Sequence, residues 1–280
     1  MPDLTDQSYL LNDQYRDASN LNARIRLHQL YSVRPRSLHG WIFDTLLDLE
    51  GIEEKRILEI GCGPGQLWLN NIERVPPAWD ITLSDFSPGM LGEAQHNLSG
   101  TYRPFSFVLI DAQDVPYPDE TFDVVVANYM LYHVPDRPKA IRELARVLRA
   151  VGRLYAATPG LGHMRELDEL VQRFDPSAGR MGGNLISSFA LENGAEQLAE
   201  SFSQVESYRF EEGQKDGLVV TEAGPLVDYI LSAAYSTGLS AADRPRLTQY
   251  VESLIARDGA IRIGKESGMF VAVKAGNDVQ

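Results

Sequence analysis

The chain has 280 residues and a formal charge of −13, with 26 Lys and Arg set against 39 Asp and Glu. Its 44% apolar content is enough for a full core, while the acidic balance disfavours long-range attraction to nucleic acid or anionic membranes. A lone cysteine, Cys62, excludes an internal disulfide and a multi-cysteine metal centre. No run approaches the ~20 apolar residues of a membrane span, and the acidic N-terminus lacks the basic-then-apolar pattern of a secretory signal. A cytoplasmic protein without nucleic-acid partner or metal is expected; oligomeric state has no signature.

In chain order, the first 50 residues read as helices. One over 19–31 carries Leu21, Ile25 and His28 on one side; the next presents Leu38, Ile42 and Leu46, joined by Phe43 and Leu47. From residue 56, short apolar strands (57–60, 81–83, 105–110, 124–127, 153–157) alternate with helices. A helix starts at Gly65, a second at Ser87-Pro88, an N-cap followed by proline at the first helical position. A third opens at Pro138, with Ile141, Leu144, Ala145 and Leu148 on one face. Continuous apolar strands separated by helices predict a mainly parallel sheet covered on both faces, a doubly wound α/β core.

After Pro159 the alternation loosens. The Gly- and Ser-rich stretch 175–189 is expected to be mobile, a strand is expected over 218–220, and helices over 223–235 and 241–256. Strands over 205–210 and 269–273 are expected to close the sheet. The segment 259–266, GAIRIGKE, nearly matches a phosphate loop, but Glu266 stands where a hydroxyl must hold magnesium, and Ile261 and Ile263 alternate like a short strand. The domain reading is an N-terminal helical cap over 1–50 and an α/β core over 51–160 plus about 200–211 and 265–275. Inserted caps over a substrate site fill 161–199 and 212–260.

The segment 56–68, RILEIGCGPGQLW, runs from a strand through glycines into a helix. Glycine lets backbone turn sharply and lie against a ligand, and a helix start offers free N–H groups. Dinucleotide enzymes use G-x-G-x-x-G. Here Gly61, Gly63 and Gly65 make G-x-G-x-G, and Glu59 adds a carboxylate that would repel a pyrophosphate and suits the ammonium of a methionine moiety. Asp85, Asp111 and Asn128 each follow an apolar strand, so they are expected on the same rim as the glycines, where open α/β sheets bind ligands. Taken singly, Asp85 also reads as a helix cap, Asp111 as a turn residue and Phe86 as core.

Over about 55–160 these motifs, in order, resemble the class I S-adenosylmethionine-dependent methyltransferase superfamily, in particular the group that includes the quinone-pathway methyltransferases. The resemblance implies a seven-stranded Rossmann-like core and S-adenosylmethionine as cofactor; no His and carboxylate cluster has convincing metal spacing, so no metal is expected. LEIGCGPG, 58–65, is similar to the loop around the methionine part, which brings in Glu59, Gly61, Cys62 and Gly63. LSDFSPGML, 83–91, resembles the ribose motif: Asp85 would hold both ribose hydroxyls and Phe86 would pack on the adenine, with Met90 on the same segment. IDAQDV, from Ile110, resembles the adenine motif, with the Asp111 carboxylate and the Ala112 N–H at the base edge. ANYMLYHVPD, 127–136, resembles the end of the fourth strand, with Asn128 at the cofactor. Ala150-Val151-Gly152 departs from the usual Pro-Gly-Gly, at a turn remote from the cofactor.

The implied activity is methyl transfer to an O, N or C atom of a small-molecule acceptor. Alternatives are a cofactor-binding protein of the same fold without transfer activity, and a nicotinamide oxidoreductase, which the glycine spacing disfavours. A general base is needed only where the acceptor arrives protonated. His133, five residues beyond Asn128, is the first candidate, followed by His163 and His28. Tyr15, Tyr129 and Tyr132 are candidate pocket walls, and Arg24 and Arg26 candidate carboxylate ligands.

Overall fold

The computed structural model describes residues 7–9, 11–12, 16–17, 19–48, 54–180, 185–210, 217–233 and 237–276. A helical turn α1 (Gln7–Tyr9) precedes α2 (Ser19–Tyr31) and α3 (Leu38–Leu47). The alternating region follows as β1 (Lys55–Ile60), α4 (Gln66–Leu69), β2 (Trp79–Asp85), α5 (Pro88–Leu98), β3 (Ser106–Leu109), β4 (Phe122–Val126), α6 (Arg137–Val147) and β5 (Leu148–Pro159). Beyond it come α7 (Arg165–Phe174), α8 (Leu185–Ser188), α9 (Gly194–Ala199), β6 (Gln204–Arg209), β7 (Leu218–Val220) and α10 (Ala223–Ser232). The chain ends on α11 (Arg244–Asp258), β8 (Ile261–Ile263) and β9 (Ser267–Val273).

The main sheet has seven strands in the order β3-β2-β1-β4-β5-β9-β6. Strands β1 to β5 are parallel, and β9 runs antiparallel to both β5 and β6. This is the expected doubly wound α/β sheet, closed by the two predicted late strands. Successive strand residues face opposite layers. Ile57, Val124, Val126 and Tyr155 pack with α3, α4 and α5, while Leu58, Ile60, Val125 and Leu154 pack with α6. Chain order reverses between β1 and its neighbours β2 and β4, so a crevice opens at the carboxyl end of β1.

A third core lies off the sheet. Leu27 of α2, Leu167 and Val171 of α7, Leu226 and Ile230 of α10 and Leu247 of α11 pack around the small β7–β8 sheet. The packing therefore divides the chain differently from the expected caps. Within 1–50, α2 joins the cap, but the apolar face of α3 (Ile42, Phe43 and Leu46) seals one face of the main sheet. Likewise, Phe189, Leu198 and Phe202 complete the opposite layer.

Several boundaries also differ. The helix after Gly65 stops at Leu69, where the Asn71 amide turns back to donate to the Leu67 carbonyl at 2.8 Å. β5 starts at Leu148 and passes through an irregularity at Val151, whose φ is 57°. α7 is a helix that the loosened pattern concealed. In the stretch expected to be mobile, Ala178, Leu185 and Phe189 are buried, while 181–184 lie outside the described residues.

Candidate active site

Parallel register brings the rim together. Glu59 on β1 pairs with Leu83 and Val126, and Asp85 on β2 pairs with Leu109, so the strand ends finish at one level. Between them the glycine loop turns with φ of 70° at Gly61 and 53° at Gly63, a region that other residues rarely enter. A Cβ on Gly61 would stand 2.8 Å from the Met130 Cβ, so only glycine admits that approach. The Cys62 N–H donates to the Ser84 carbonyl at 2.8 Å and locks the loop onto β2.

Asp85 accepts from the Gly63 N–H at 2.9 Å and the Ser87 N–H at 2.8 Å. It thus organises the loop and the start of α5 at once, and burial still raises its pKa. The expected cap is present as well: the Ser87 hydroxyl accepts from the Met90 N–H at 3.2 Å.

Glu59 is 2% exposed. The Trp68 indole N–H donates to its Oε2 at 2.6 Å and the Asn128 amide to its Oε1 at 3.3 Å. Burial outweighs both bonds and pushes its pKa up to about 8, so the carboxyl is mostly protonated at neutral pH. The Oδ1 of Asn128 is buried with no hydrogen-bond partner, a site for a ligand donor.

Asp111 behaves oppositely. Burial disfavours its charge, but the Gln113 backbone N–H and the Gln113 and Gln7 side-chain amides outweigh it, and its pKa lies below the usual value. The Gln7 amide donates to Oδ2 at 2.9 Å, so the N-terminal turn reaches across the rim.

These residues line one cavity of about 570 Å³. The structure brings to it Glu59, Gly61, Cys62, Gly63, Asp85, Phe86, Met90, Asp111, Ala112 and Asn128, together with His133. His28, His163, Tyr129, Tyr132 and Arg24 also line it; exposed Arg26 does not, and Tyr15 lies outside the described residues. Burial pushes the Cys62 thiol pKa well up, so it is no reactive thiolate at neutral pH. His133 ends a 3-10 turn (Leu131–His133), its ring 4.7 Å from that of Tyr132. Tyr129, half-buried, holds a left-handed φ of 55° and lines the cavity.

Sequence reasoning missed Trp68, His39, Tyr229, Lys265 and Ser267. Trp68 had a signal, being in the turn after the glycine loop and on its apolar side. Lys265 lay inside the segment set aside as a false phosphate loop. The structure makes β8 of Ile261–Ile263, as the alternation predicted, and delivers the lysine to the cavity just beyond it.

Residues 58–156 match a family model described as a methyltransferase domain. That stretch of the chain is a methyltransferase domain of the class I S-adenosylmethionine-dependent superfamily. A ubiquinone/menaquinone biosynthesis C-methyltransferase of Pseudomonas paraeruginosa is 34% identical over 39% of this chain and 43% of its own length. A malonyl-[acyl-carrier protein] O-methyltransferase of Geobacter sulfurreducens is 37% identical over 44% of this chain and 45% of its own length. The chain thus spans less than half of these curated relatives. Among solved structures, the fold is shared with a Haemonchus contortus phosphoethanolamine N-methyltransferase in complex with S-adenosylhomocysteine. That match has a TM-score of 0.58 and 17% identity, covering 98% of this chain and 61% of that one. It is shared too with the [4+2]-cyclase SpnF, at a TM-score of 0.56 and 18% identity, over 99% and 98% of the two chains.

Proposed function

We propose that the protein transfers a methyl group from S-adenosylmethionine to an O, N or C atom of a small-molecule acceptor. The carrying observation is the rim itself: Glu59, Asp85, Asp111 and Asn128 end four adjacent strands around a glycine loop that a Cβ would block. The donor set suits the cofactor. Asp85 offers a carboxylate for the ribose hydroxyls, Phe86 and Met90 an apolar wall, and Asp111 with Ala112 a hydrogen-bonding edge for the adenine. The unpartnered Asn128 Oδ1, beside Glu59, offers an acceptor for the ammonium.

S-adenosylmethionine, when bound, supplies a methyl group already activated by its sulfonium. The chain's share of the work is then alignment and exclusion of water. Tyr129 and Met130 stand immediately beyond the glycine loop, and α2, α7 and α10 roof the cavity. His133 is the proposed group that takes a proton from an acceptor arriving as an alcohol, phenol or ammonium. Among the described residues no cluster of three or more His, Cys, Asp or Glu could hold a metal ion, and no helix is long and apolar enough to cross a membrane.

Calorimetric titration with S-adenosylhomocysteine tests the reading, with NAD as control. Binding in the micromolar range, weakened at least ~30-fold in Asp85→Ala, is expected from loss of a charged hydrogen-bonding partner. Absence of binding to the wild type overturns it. A protein that holds the cofactor without transferring its methyl is the second reading, because SpnF, which shares this fold, is a [4+2]-cyclase. Release of S-adenosylhomocysteine on incubation with an acceptor library separates the two.

A further inference from the structure

Two imidazoles that line the cavity, those of His28 and His163, have their protons placed by what surrounds them. His163 stands in the loop between β5 and α7. Glu266, just before β9, stitches that loop down: its carbonyl accepts from the Gly160 N–H at 3.1 Å and its carboxylate from the Gly162 N–H at 2.8 Å. The Nδ1 of His163 lies 2.7 Å from the same carbonyl oxygen and 3.1 Å from the Glu266 amide nitrogen. At 2.7 Å two lone pairs would repel, so Nδ1 carries the proton and donates to the carbonyl. Burial, aided by the charge of Lys265, pushes the pKa down to about 4, and the ring is neutral at physiological pH. A neutral imidazole has one proton to place; with Nδ1 protonated, Nε2 keeps a lone pair.

His28 reaches the opposite state. It sits on α2 one turn beyond Arg24, whose guanidinium donates to the Ser232 Oγ at 3.1 Å and the Ser232 carbonyl at 3.0 Å, fixing α2 against α10. Its ring stands edge-on to that of Tyr229 on α10, at 5.9 Å. In this packing Nδ1 is sealed without a hydrogen-bond partner, and burial lowers the pKa well below 6.5, so this ring is neutral too. A buried N–H without an acceptor is rarer than an unmet lone pair, so the proton rests on Nε2. With Nδ1 closed off, the Nε2 edge is the one the half-buried ring turns to the cavity. The two rings are near enough for a charge on His163 to act on His28. One therefore presents a lone pair and the other an N–H, among apolar walls that include Ile25, Met164, Leu167 and Leu185.

From this pairing we infer that the acceptor is a hydroxyl compound with an apolar body, whose hydroxyl donates to His163 Nε2 and accepts from His28 Nε2–H. The inference rests on the methyl-transfer reading and deepens it by naming the group through which the acceptor docks. The choice follows from hydrogen-bond complementarity. A hydroxyl donates and accepts through one atom. A carboxylate or an ether only accepts and would set its lone pairs against that of His163, while an ammonium only donates and would meet the His28 N–H. Each mismatch leaves a desolvated polar group unpaired, which costs more than a hydrogen bond gains. His28 and His163 are thus specificity-determining residues.

The experiment uses the full chain, with and without saturating S-adenosylhomocysteine. Long-range proton–nitrogen spectra report the tautomer of each of the five histidines. His163 is expected with its proton on Nδ1 and His28 with its proton on Nε2; any other pair of tautomers in the wild type overturns the inference before a ligand is added. The chain is then titrated with 4-methylphenol, 4-methylbenzyl alcohol, 4-methylanisole, 4-methylbenzoate and 4-methylbenzamide. The better of the two hydroxyl compounds, which also tells an aromatic from an aliphatic hydroxyl, should shift His28 and His163 and leave His96, exposed on α5, in place. It should bind at least ~10-fold more tightly than the ether. His28→Phe and His163→Phe should each bring hydroxyl compound and ether to within about threefold of one another, a ratio that a general loosening of the cavity would not move. Ether, carboxylate or amide binding as tightly as the better hydroxyl compound overturns the inference in the wild type alone. So does no binding of either hydroxyl compound, or a preference that survives either substitution. The S-adenosylhomocysteine titration stands apart from these arms, so failure of the methyl-transfer reading registers separately.

Discussion

The indole N–H of Trp68 donates to Glu59 Oε2 at 2.6 Å, tying the end of β1 to the helical turn nine residues later. The glycine loop is thereby closed into a ring of chain whose two sides are hydrogen-bonded behind the turn. Glu59 is held in place by Trp68 and Asn128 yet kept largely neutral by burial.

That balance has a pH signature. The Glu59 pKa is raised from 4.5 to about 8 in the folded protein, so the folded state holds this proton more tightly than the unfolded chain. Its stabilising contribution is complete below about pH 4.5 and is lost as pH rises through about 8. The slope is at most about 1.4 kcal/mol per pH unit. Glu59→Gln should flatten the decline measured by urea unfolding between pH 5.5 and 7.5. Parallel curves for the two proteins would show that the carboxyl is already ionised.

Binding of a cofactor ammonium beside Glu59 should lower its pKa and release a proton. Calorimetry with S-adenosylmethionine at pH 7, in buffers of different ionisation enthalpy, is expected to report close to one proton released, and none in Glu59→Gln. A buffer-independent enthalpy in the wild type would mean that the ammonium does not sense Glu59.

Gly61→Ala places a methyl group 2.8 Å from the Met130 Cβ at a φ of 70°. A stability loss of about 1–2 kcal/mol is expected from the left-handed conformation. Displacement of Met130 should also weaken S-adenosylhomocysteine at least ~10-fold. Unchanged affinity would show that the loop yields without disturbing the pocket.

The Gln7 amide occupies Asp111 Oδ2, which the adenine amino group would also use. Gln7→Ala removes the competing donor, and S-adenosylhomocysteine should then bind severalfold more tightly. Weaker binding would instead make Gln7 part of the bound site rather than a competitor for it.

His133→Ala should slow methyl transfer to a protonated acceptor by roughly 10²–10⁴-fold, the usual range for loss of a general base. The S-adenosylhomocysteine affinity should stay within about threefold. A turnover number unaffected at pH 7 would remove His133 from the reaction and leave His163 or an acceptor that needs no base.

Much of the fold was legible because its signals are local. Alternating apolar strands, the Ser87-Pro88 cap and the glycine spacing each depend on a few adjacent residues. Asp85, Asp111 and Asn128 could be placed on one rim because the end of a parallel strand has a fixed relation to the sheet. The cap resisted for the opposite reason: its core joins Leu27 to Leu167, Leu226 and Leu247, partners up to 220 residues apart, and no window of sequence contains that pattern.

The amino-acid sequence by itself determined the doubly wound sheet, the polar rim around the glycine loop and the net negative charge. All three follow from periodicity, turn chemistry and net charge, which are written along the chain. Only tertiary structure decided that Trp68 hydrogen-bonds Glu59, that Gln7 covers Asp111, and that the charge of Lys265 acts on three histidines from separate elements. Those relations are set by distances through space between segments that the chain order keeps apart, and burial, which sets the charge state of Glu59 and the imidazoles, exists only once they have packed.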